Sequence, residues 1–110
     1  MRYSASAPLE IFLIGGVGKF GMNMMALRTN TASVLIDAGI GFTPLQSYGI
    51  NLCIPDITQL RAGFGSFDAL FLTHGHEDHI GAIPFIWDLL EGPVYGTRLT
   101  LALVERRLNE

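Results

Sequence analysis

Only one cysteine, Cys53, stands among the 110 residues, so no disulfide forms within the chain and the composition fits a reducing compartment. No histidine lies near Cys53 in sequence, and a small buried hydrophobe describes it better than a reactive thiol. Charge is scarce as well. Asp, Glu, Lys and Arg make up 15% of the chain and hydrophobic residues 49%, where ordinary soluble proteins carry roughly 25% charged residues. A surface so poor in charge is expected to be covered in part, by a partner subunit or by further polypeptide. The formal net charge of −3 offers no basic footprint for nucleic acid, although a pair of bound divalent ions would add about four positive charges locally. Long apolar runs are missing too, since none approaches the ~20 residues of a spanning helix. After Arg2 the start of the chain is broken by Pro8 and Glu10 before an apolar core develops. Neither a membrane segment nor a secretory leader is read, and a cytoplasmic location is expected.

Histidine is rare, yet its three copies gather within six residues, in Thr73-His74-Gly75-His76-Glu77-Asp78-His79-Ile80-Gly81-Ala82. The spacing H-x-H-x-D-H follows directly on the apolar run Ala69-Leu70-Phe71-Leu72. It therefore stands where a strand gives way to a loop, which is where α/β folds place their chemistry. A solvated polar loop has no reason to collect every histidine of a chain, and the pattern points to a metal site. Alternate residues of an extended segment point the same way, so His74 and His76 can reach one metal together. Asp78 and His79 lie where the loop turns into a helix and aim at a neighbouring position. Two pairs suit two metals better than one, and imidazole with carboxylate favours zinc or manganese. Two such ions roughly 3.5–4 Å apart can bridge a water, lower its pKa and stabilise the attacking and leaving oxygens of phosphodiester cleavage. Glu77 alternates away from the pair, towards solvent.

Residues 1–8 read as a loose lead-in, and a single domain is expected over 9–110. Ile11-Phe12-Leu13-Ile14 reads as a buried strand. The following Gly16-Val17-Gly18-Lys19-Phe20-Gly21 matches G-x-G-x-x-G, with Asp37 at a fitting distance. Only Met22 to Arg28 separate that loop from the turn Thr29-Asn30-Thr31, about two helical turns at most, and a strand, Ser33 to Ile36, comes next. Two short strands around a polar turn fit better than a crossover helix, so the dinucleotide reading fails. The glycines then serve either an ordinary tight turn or the lining of a site, and Met22, Met24 and Met25 are core filler. Asp37, at a strand's C-terminal edge, is placed to orient a ligand histidine from behind, or to act as a turn residue or cap.

The stretch 41–55 reads as loop. Asp56 is expected to cap a short helix to about Arg61, with Ile57 and Leu60 on one face, and 63–67 to turn into a strand over 69–72. Ile80, Ile83, Ile86, Trp87 and Leu90 recur at helical spacing and predict a helix over 80–90, with Pro84 tolerated in its first turn. Val94-Tyr95 begins a strand. Thr97 is expected to cap a last helix bearing Leu99, Ala102, Leu103 and Arg106 on neighbouring turns. The order is two or three antiparallel strands, a loop, then strand, helix, strand, helix, an α/β arrangement.

The decapeptide at 73–82, with a strand before it and a helix after, resembles the signature of the metallo-β-lactamase superfamily. Gly-Gly-Val-Gly-Lys-Phe-Gly-Met-Asn-Met near the start, Leu-Ile-Asp-Ala-Gly at 35–39, Ile-Pro-Asp-Ile at 54–57 and Pro-Val-Tyr-Gly-Thr at 93–97 together resemble ribonuclease J and its β-CASP relatives. The resemblance implies an αββα sandwich of two similar halves, of which this chain holds the N-terminal half only. It implies His74 and His76 as ligands of one zinc and Asp78 and His79 as ligands of the other, two Zn2+ per complete site with Mn2+ as the alternative. It also implies that Asp78 acts catalytically by helping to handle the proton of the bridging hydroxide, and that Asp37 supports the ligand shell by hydrogen bonding. The activity implied is hydrolysis of RNA phosphodiesters by metal-bound hydroxide, exonucleolytic and endonucleolytic. The loop departs from the family at Lys19, where relatives carry glutamate.

Three readings follow. In the first, the chain is the N-terminal fragment of a zinc-dependent ribonuclease, an oligomer of like chains when full length, whose remaining ligands lie in the missing C-terminal half. It then binds zinc weakly and cleaves no RNA by itself. In the second, the same metal-hydroxide chemistry serves a thioester or a lactone. In the third, the chain is a non-catalytic truncated module that pairs with a full-length homologous subunit through its apolar surface.

Overall fold

The computed structural model describes residues 8–110, so the lead-in expected over 1–8 lies, Pro8 apart, outside the described residues. A first strand, β1 (Glu10–Gly15), pairs antiparallel with β2 (Met24–Arg28), and β2 pairs antiparallel with β3 (Ser33–Ile36). The β2–β3 turn is closed by Thr29, whose amide donates to the Ala32 carbonyl at 2.8 Å and whose hydroxyl accepts from the Thr31 and Ala32 amides. This hairpin is what the sequence predicts in place of a dinucleotide-binding crossover. Next comes α1 (Ile57–Phe64), with Asp56 accepting from the Thr58 amide as its N-cap. Then β4 (Ala69–Phe71) pairs parallel with β3, and β5 (Val94–Tyr95) parallel with β4. The result is one mixed five-stranded sheet in the order β1-β2-β3-β4-β5.

The core lies between one sheet face and the helices. Met24, Ala26, Leu35 and Leu70 from the strands meet Leu60 of α1, Ile80, Ile83 and Ile86 after the histidine motif, and Val104 near the end. Burial of one such Leu or Ile is worth about 1.5–3 kcal/mol. The opposite sheet face is apolar as well and lies open. One row crosses the whole sheet there, Leu13, Met25, Ile36, Phe71 and Tyr95, each paired with the next. Leu13 is 63%, Phe71 43% and Tyr95 50% exposed.

The strand β1, expected to be buried, packs by one face only and leaves Ile11 60% exposed beside Leu13, and four further local expectations need correction. First, α1 runs on to Phe64 instead of ending near Arg61, because the Phe64 ring packs edge-on to Phe12 at 5.0 Å and stacks on Phe67 at 4.8 Å. Second, the loop at 41–55 holds a 3-10 helix over Pro44–Tyr48 and a bridge between Gly41 and Cys53.

Third, the helix expected over 80–90 is broken into α2 (Glu77–Ile80), α3 (Ile83–Ile86) and a 3-10 turn at Trp87–Leu89. Pro84 has no amide to donate back one turn, and instead stands in the first turn of the new segment α3. The buried positions then fall at Ile80, Ile83, Ile86 and Leu89, three apart, while Trp87 is 46% exposed. Fourth, Thr97 does cap α4 (Arg98–Leu108), accepting from the Thr100 amide. The packed face of α4, however, is Thr100, Leu101, Val104 and Leu108, and Leu99 stands 72% exposed. Among the described residues no helix is long and apolar enough to cross a membrane.

Candidate metal centre

β3 and β4 run parallel and deliver two loops to the same sheet edge, one opening with Asp37 and one with Thr73. Asp37 leaves β3 with a φ of +62°, a left-handed conformation that costs a non-glycine residue about 1–3 kcal/mol and persists only where its surroundings hold it. Here its amide donates to the Phe71 carbonyl at 2.9 Å, and the next amide, of Ala38, donates to the His79 carbonyl at 2.7 Å. The strain turns the buried Asp37 carboxylate towards the histidine loop. Its Oδ1 accepts from the Thr73 amide at 2.9 Å and its Oδ2 from the Thr73 hydroxyl at 2.8 Å.

The same Oδ2 lies 2.8 Å from His79 Nδ1. With a carboxylate oxygen as partner Nδ1 is the donor, and Nε2 keeps its lone pair, the arrangement that presents an imidazole to a metal. Asp37 thus touches both Thr73 and His79.

Three of the four expected ligand residues form one donor group, and His79 lies beside it. One ligand atom each from His74, His76 and Asp78 all lie within 4.8 Å of one another. The rings of His74 and His76 are 4.6 Å apart between centroids, and those of His74 and His79 4.0 Å. Asp78 Oδ2 is 3.6 Å from His79 Nε2, so Asp78 belongs to both groupings and links the two expected pairs. Imidazole nitrogens and carboxylate oxygens converging at this separation are the donor set that borderline divalent ions such as zinc take. These residues fit a metal. Glu77 points away as expected, but is held by Arg107 of α4 at 2.7 Å.

Two contributors escape the sequence reading. Asn23, just ahead of β2, receives no role there, yet its side-chain amide lies 3.1 Å from the Asp78 carbonyl, 3.3 Å from Asp78 Oδ2 and 3.3 Å from His79 Nε2. A lone polar residue between Met22 and Met24 is the signal that points to it. The second is Gly39, whose neighbours leave no room for a Cβ. One built there would overlap the Asp78 carbonyl and the His79 amide. The loop after β3 can therefore lie flat against the peptide that carries two candidate ligands only because residue 39 is glycine.

The chain matches the family model described as metallo-beta-lactamase superfamily over residues 17–107. Over all 110 of its residues it is 36% identical to ribonuclease J of Helicobacter pylori (strain ATCC 700392 / 26695) and to ribonuclease J2 of Bacillus subtilis (strain 168). Over 101 residues, 92% of the chain, it is 36% identical to ribonuclease J 2 of Staphylococcus aureus (strain NCTC 8325 / PS 47). It spans 16%, 20% and 18% of those relatives' lengths respectively. Among solved structures, a diphosphatase from the PhnP family superposes with a TM-score of 0.54, covering 80% of this chain and 33% of that one at 23% identity, a likeness of fold alone.

Proposed function

The chain belongs to the metallo-beta-lactamase superfamily, and from that premise we propose that it supplies the first ligand cluster of a ribonuclease J-like hydrolase of RNA phosphodiesters. The observation that carries the reading is similarity to proteins named ribonuclease J across the whole length of the chain, together with donor atoms of His74, His76 and Asp78 gathered in one place. In this reading His74 and His76 hold one zinc, and Asp78 and His79 hold a second, with manganese as the alternative. The metals supply Lewis acidity that activates water and neutralises phosphate oxygens.

The chain's own residues do the rest. Asp37 fixes the His79 tautomer, Thr73 holds Asp37 in place, and Asp78, the catalytic residue of this reading, handles the proton at its free oxygen. Asn23 restrains that carboxylate. We assign the open apolar row on the sheet to a second sheet that completes an αββα sandwich, of which residues 9–110 are the N-terminal half. The complete protein is then a cytoplasmic homo-oligomer acting on RNA, and the chain alone binds zinc weakly and cuts no RNA.

The experiment is an exchange. The matching segment of Helicobacter pylori ribonuclease J is replaced by this chain, and the chimera is assayed on single-stranded RNA, a thioester and a lactone. RNA hydrolysis that His76→Ala abolishes is expected. Turnover of the thioester or lactone with RNA left intact overturns the reading in favour of the other hydrolases. Metal-dependent RNA cleavage by the 110-residue chain alone overturns its assignment as an incomplete site. Stable dimers formed with the homologous full-length subunit, without activity, would favour the pairing module.

A further inference from the structure

Beside the histidine cluster lies a second cleft, of about 430 Å3, lined by Lys19, Phe20, Met22, Phe42, Thr43 and Cys53. Its volume is within the range of small-ligand sites, ~300–1,000 Å3. Two of its walls are aromatic rings left to solvent, Phe20 at 83% and Phe42 at 62% exposed. These rings do not pair with each other or with another aromatic among the described residues. Lys19 is exposed and enters no salt bridge among the described residues, where Arg28, Arg61 and Arg107 all do.

The loop's conformation is specified. Gly16, Gly18, Gly21 and Met22 all take positive φ, at 83°, 70°, 85° and 52°. Such a run turns the backbone sharply and drives Lys19 and Phe20 outward. The turn is pinned where it meets the metal centre. The Met22 amide donates to the Ile40 carbonyl at 2.9 Å, the Asn23 amide donates to the Asp78 carbonyl at 3.1 Å, and a Cβ on Gly21 would sit 3.9 Å from that of Asp78. On its other side, Gly16 and Val17 of the same loop line the hollow that contains Asp37, Thr73 and His79. One loop therefore walls both the candidate catalytic hollow and the aromatic cleft.

We propose that this cleft is a nucleobase site, in which one base of single-stranded RNA lies against Phe20 and Phe42 while Lys19 takes the adjoining phosphate. The proposal rests on the RNA reading given above and extends it to a substrate subsite. Flat apolar faces next to an unpaired cation are what a single-stranded polyanion with aromatic side groups requires, and stacking of this kind tolerates any base. The cleft's place beside the histidine cluster fits a nucleotide flanking the scissile phosphate. The sequence departure at Lys19 acquires a purpose here, since a carboxylate in its place would repel the phosphate.

The test is an NMR titration of the isotope-labelled 110-residue chain with a four-nucleotide oligoadenylate RNA, and with the same ribose-phosphate backbone lacking bases. Shifts at Lys19, Phe20 and Phe42 with the first probe and not the second are expected. Phe20→Leu and Phe42→Leu should each weaken binding about fivefold or more. Lys19→Ala should lower the salt dependence by about one phosphate contact. Phe20 is exposed, so its replacement leaves folding intact, which amide dispersion verifies.

Binding that ignores both rings, or that shifts only other residues, overturns the cleft and leaves the RNA reading standing. No shift anywhere overturns the cleft alone if the chimera degrades RNA, and both readings if it does not. Concentration-dependent broadening at Phe20 and Phe42 without RNA assigns the surface to a second copy of the chain and overturns the proposal.

Discussion

Asp78 and His79 sit in a net of contacts, with Asp37, Thr73 and Asn23 all within hydrogen-bond reach and Gly39 packed flat beneath their shared peptide. His74 and His76 have far less around them. The His74 ring lies 3.0 Å from the Thr73 hydroxyl, and among the described residues the exposed His76 ring accepts or donates no hydrogen bond. The first pair is preorganised, so little freedom is lost when it takes a ligand. Beyond that one contact the second is fixed through its backbone, where the His76 carbonyl starts α2 by accepting from the His79 and Ile80 amides. A cluster built this way has one rigid side and one side free to adjust, and substitutions on the two sides should behave differently.

The contrast can be broken most severely at Gly39. Gly39→Ala forces the Asp78–His79 peptide away, and we expect a loss of about 3 kcal/mol in urea unfolding. Cobalt added as a coloured stand-in for zinc should then show weakened binding. Next, Asp37→Ala removes a buried carboxylate that accepts from the Thr73 amide and hydroxyl, and frees the His79 ring. A cost of about 1–3 kcal/mol and a 10–100-fold loss of metal affinity should be read in the same two assays. If Asp37→Ala leaves metal affinity untouched, the idea of a rigid side is wrong.

Asn23→Ala removes one amide shared by Asp78 and His79, and about 1 kcal/mol of stability should go with it. On the loose side, His76→Ala should leave the metal-free chain within about 0.5 kcal/mol of its original stability while still reducing cobalt binding. That split between the two readouts is the clearest signature of the difference.

The smallest effect serves as a control away from the motif. Arg61 holds Asp88 in a two-pronged surface pair, at 2.5 and 3.1 Å. The hydrogen bond from Arg61 holds the Asp88 carboxyl below its ordinary value, and the same bond raises Arg61 above its own. A depressed carboxylate contributes stability above its unfolded pKa and loses it as pH falls through the folded one. Asp88→Asn should therefore cost a little at neutral pH and nothing once pH drops below that window, in thermal melts at several pH values. Metal binding should be unchanged throughout.

How much of this was legible beforehand depends on the range of the contacts. The strands, the hairpin and both capped helices follow from patterns within a few residues, such as Asp56 ahead of Ile57 and Thr97 ahead of Arg98. The nearness of His74, His76 and Asp78 is legible for the same reason, since the H-x-H-x-D spacing sets all three on one strand-to-loop turn, although the pairing read from the sequence put Asp78 with His79 instead. Asn23 escapes because its partner Asp78 is 55 positions away. The packed face of α4 escapes because spacing alone cannot say which of two apolar stripes meets the core. Thr100 and Val104 win over Leu99, which is left beside the histidines in a cleft shared with His74 and His76. The break at Gly81-Ala82 escapes because Ile80, Ile83 and Ile86 suit period 3 and period 3.6 alike, and the two part only at Leu89 and Leu90.

The sheet's mixed pairing bears on how the cluster comes into being. β1, β2 and β3 form a meander whose last turn spans Thr29 to Ala32, so they can close early and locally. β4 must find β3 across a long excursion, with Val34 meeting Ala69. Closing that excursion costs chain entropy before any pairing repays it. Asp37 is delivered by the early part and His79, 42 positions on, by the late part. The bond between them forms only when the parallel strands dock, so a folding intermediate that holds just the meander leaves the His79 ring without its Asp37 partner. An oriented His79 ring is, for this chain, a report that the parallel strands have docked.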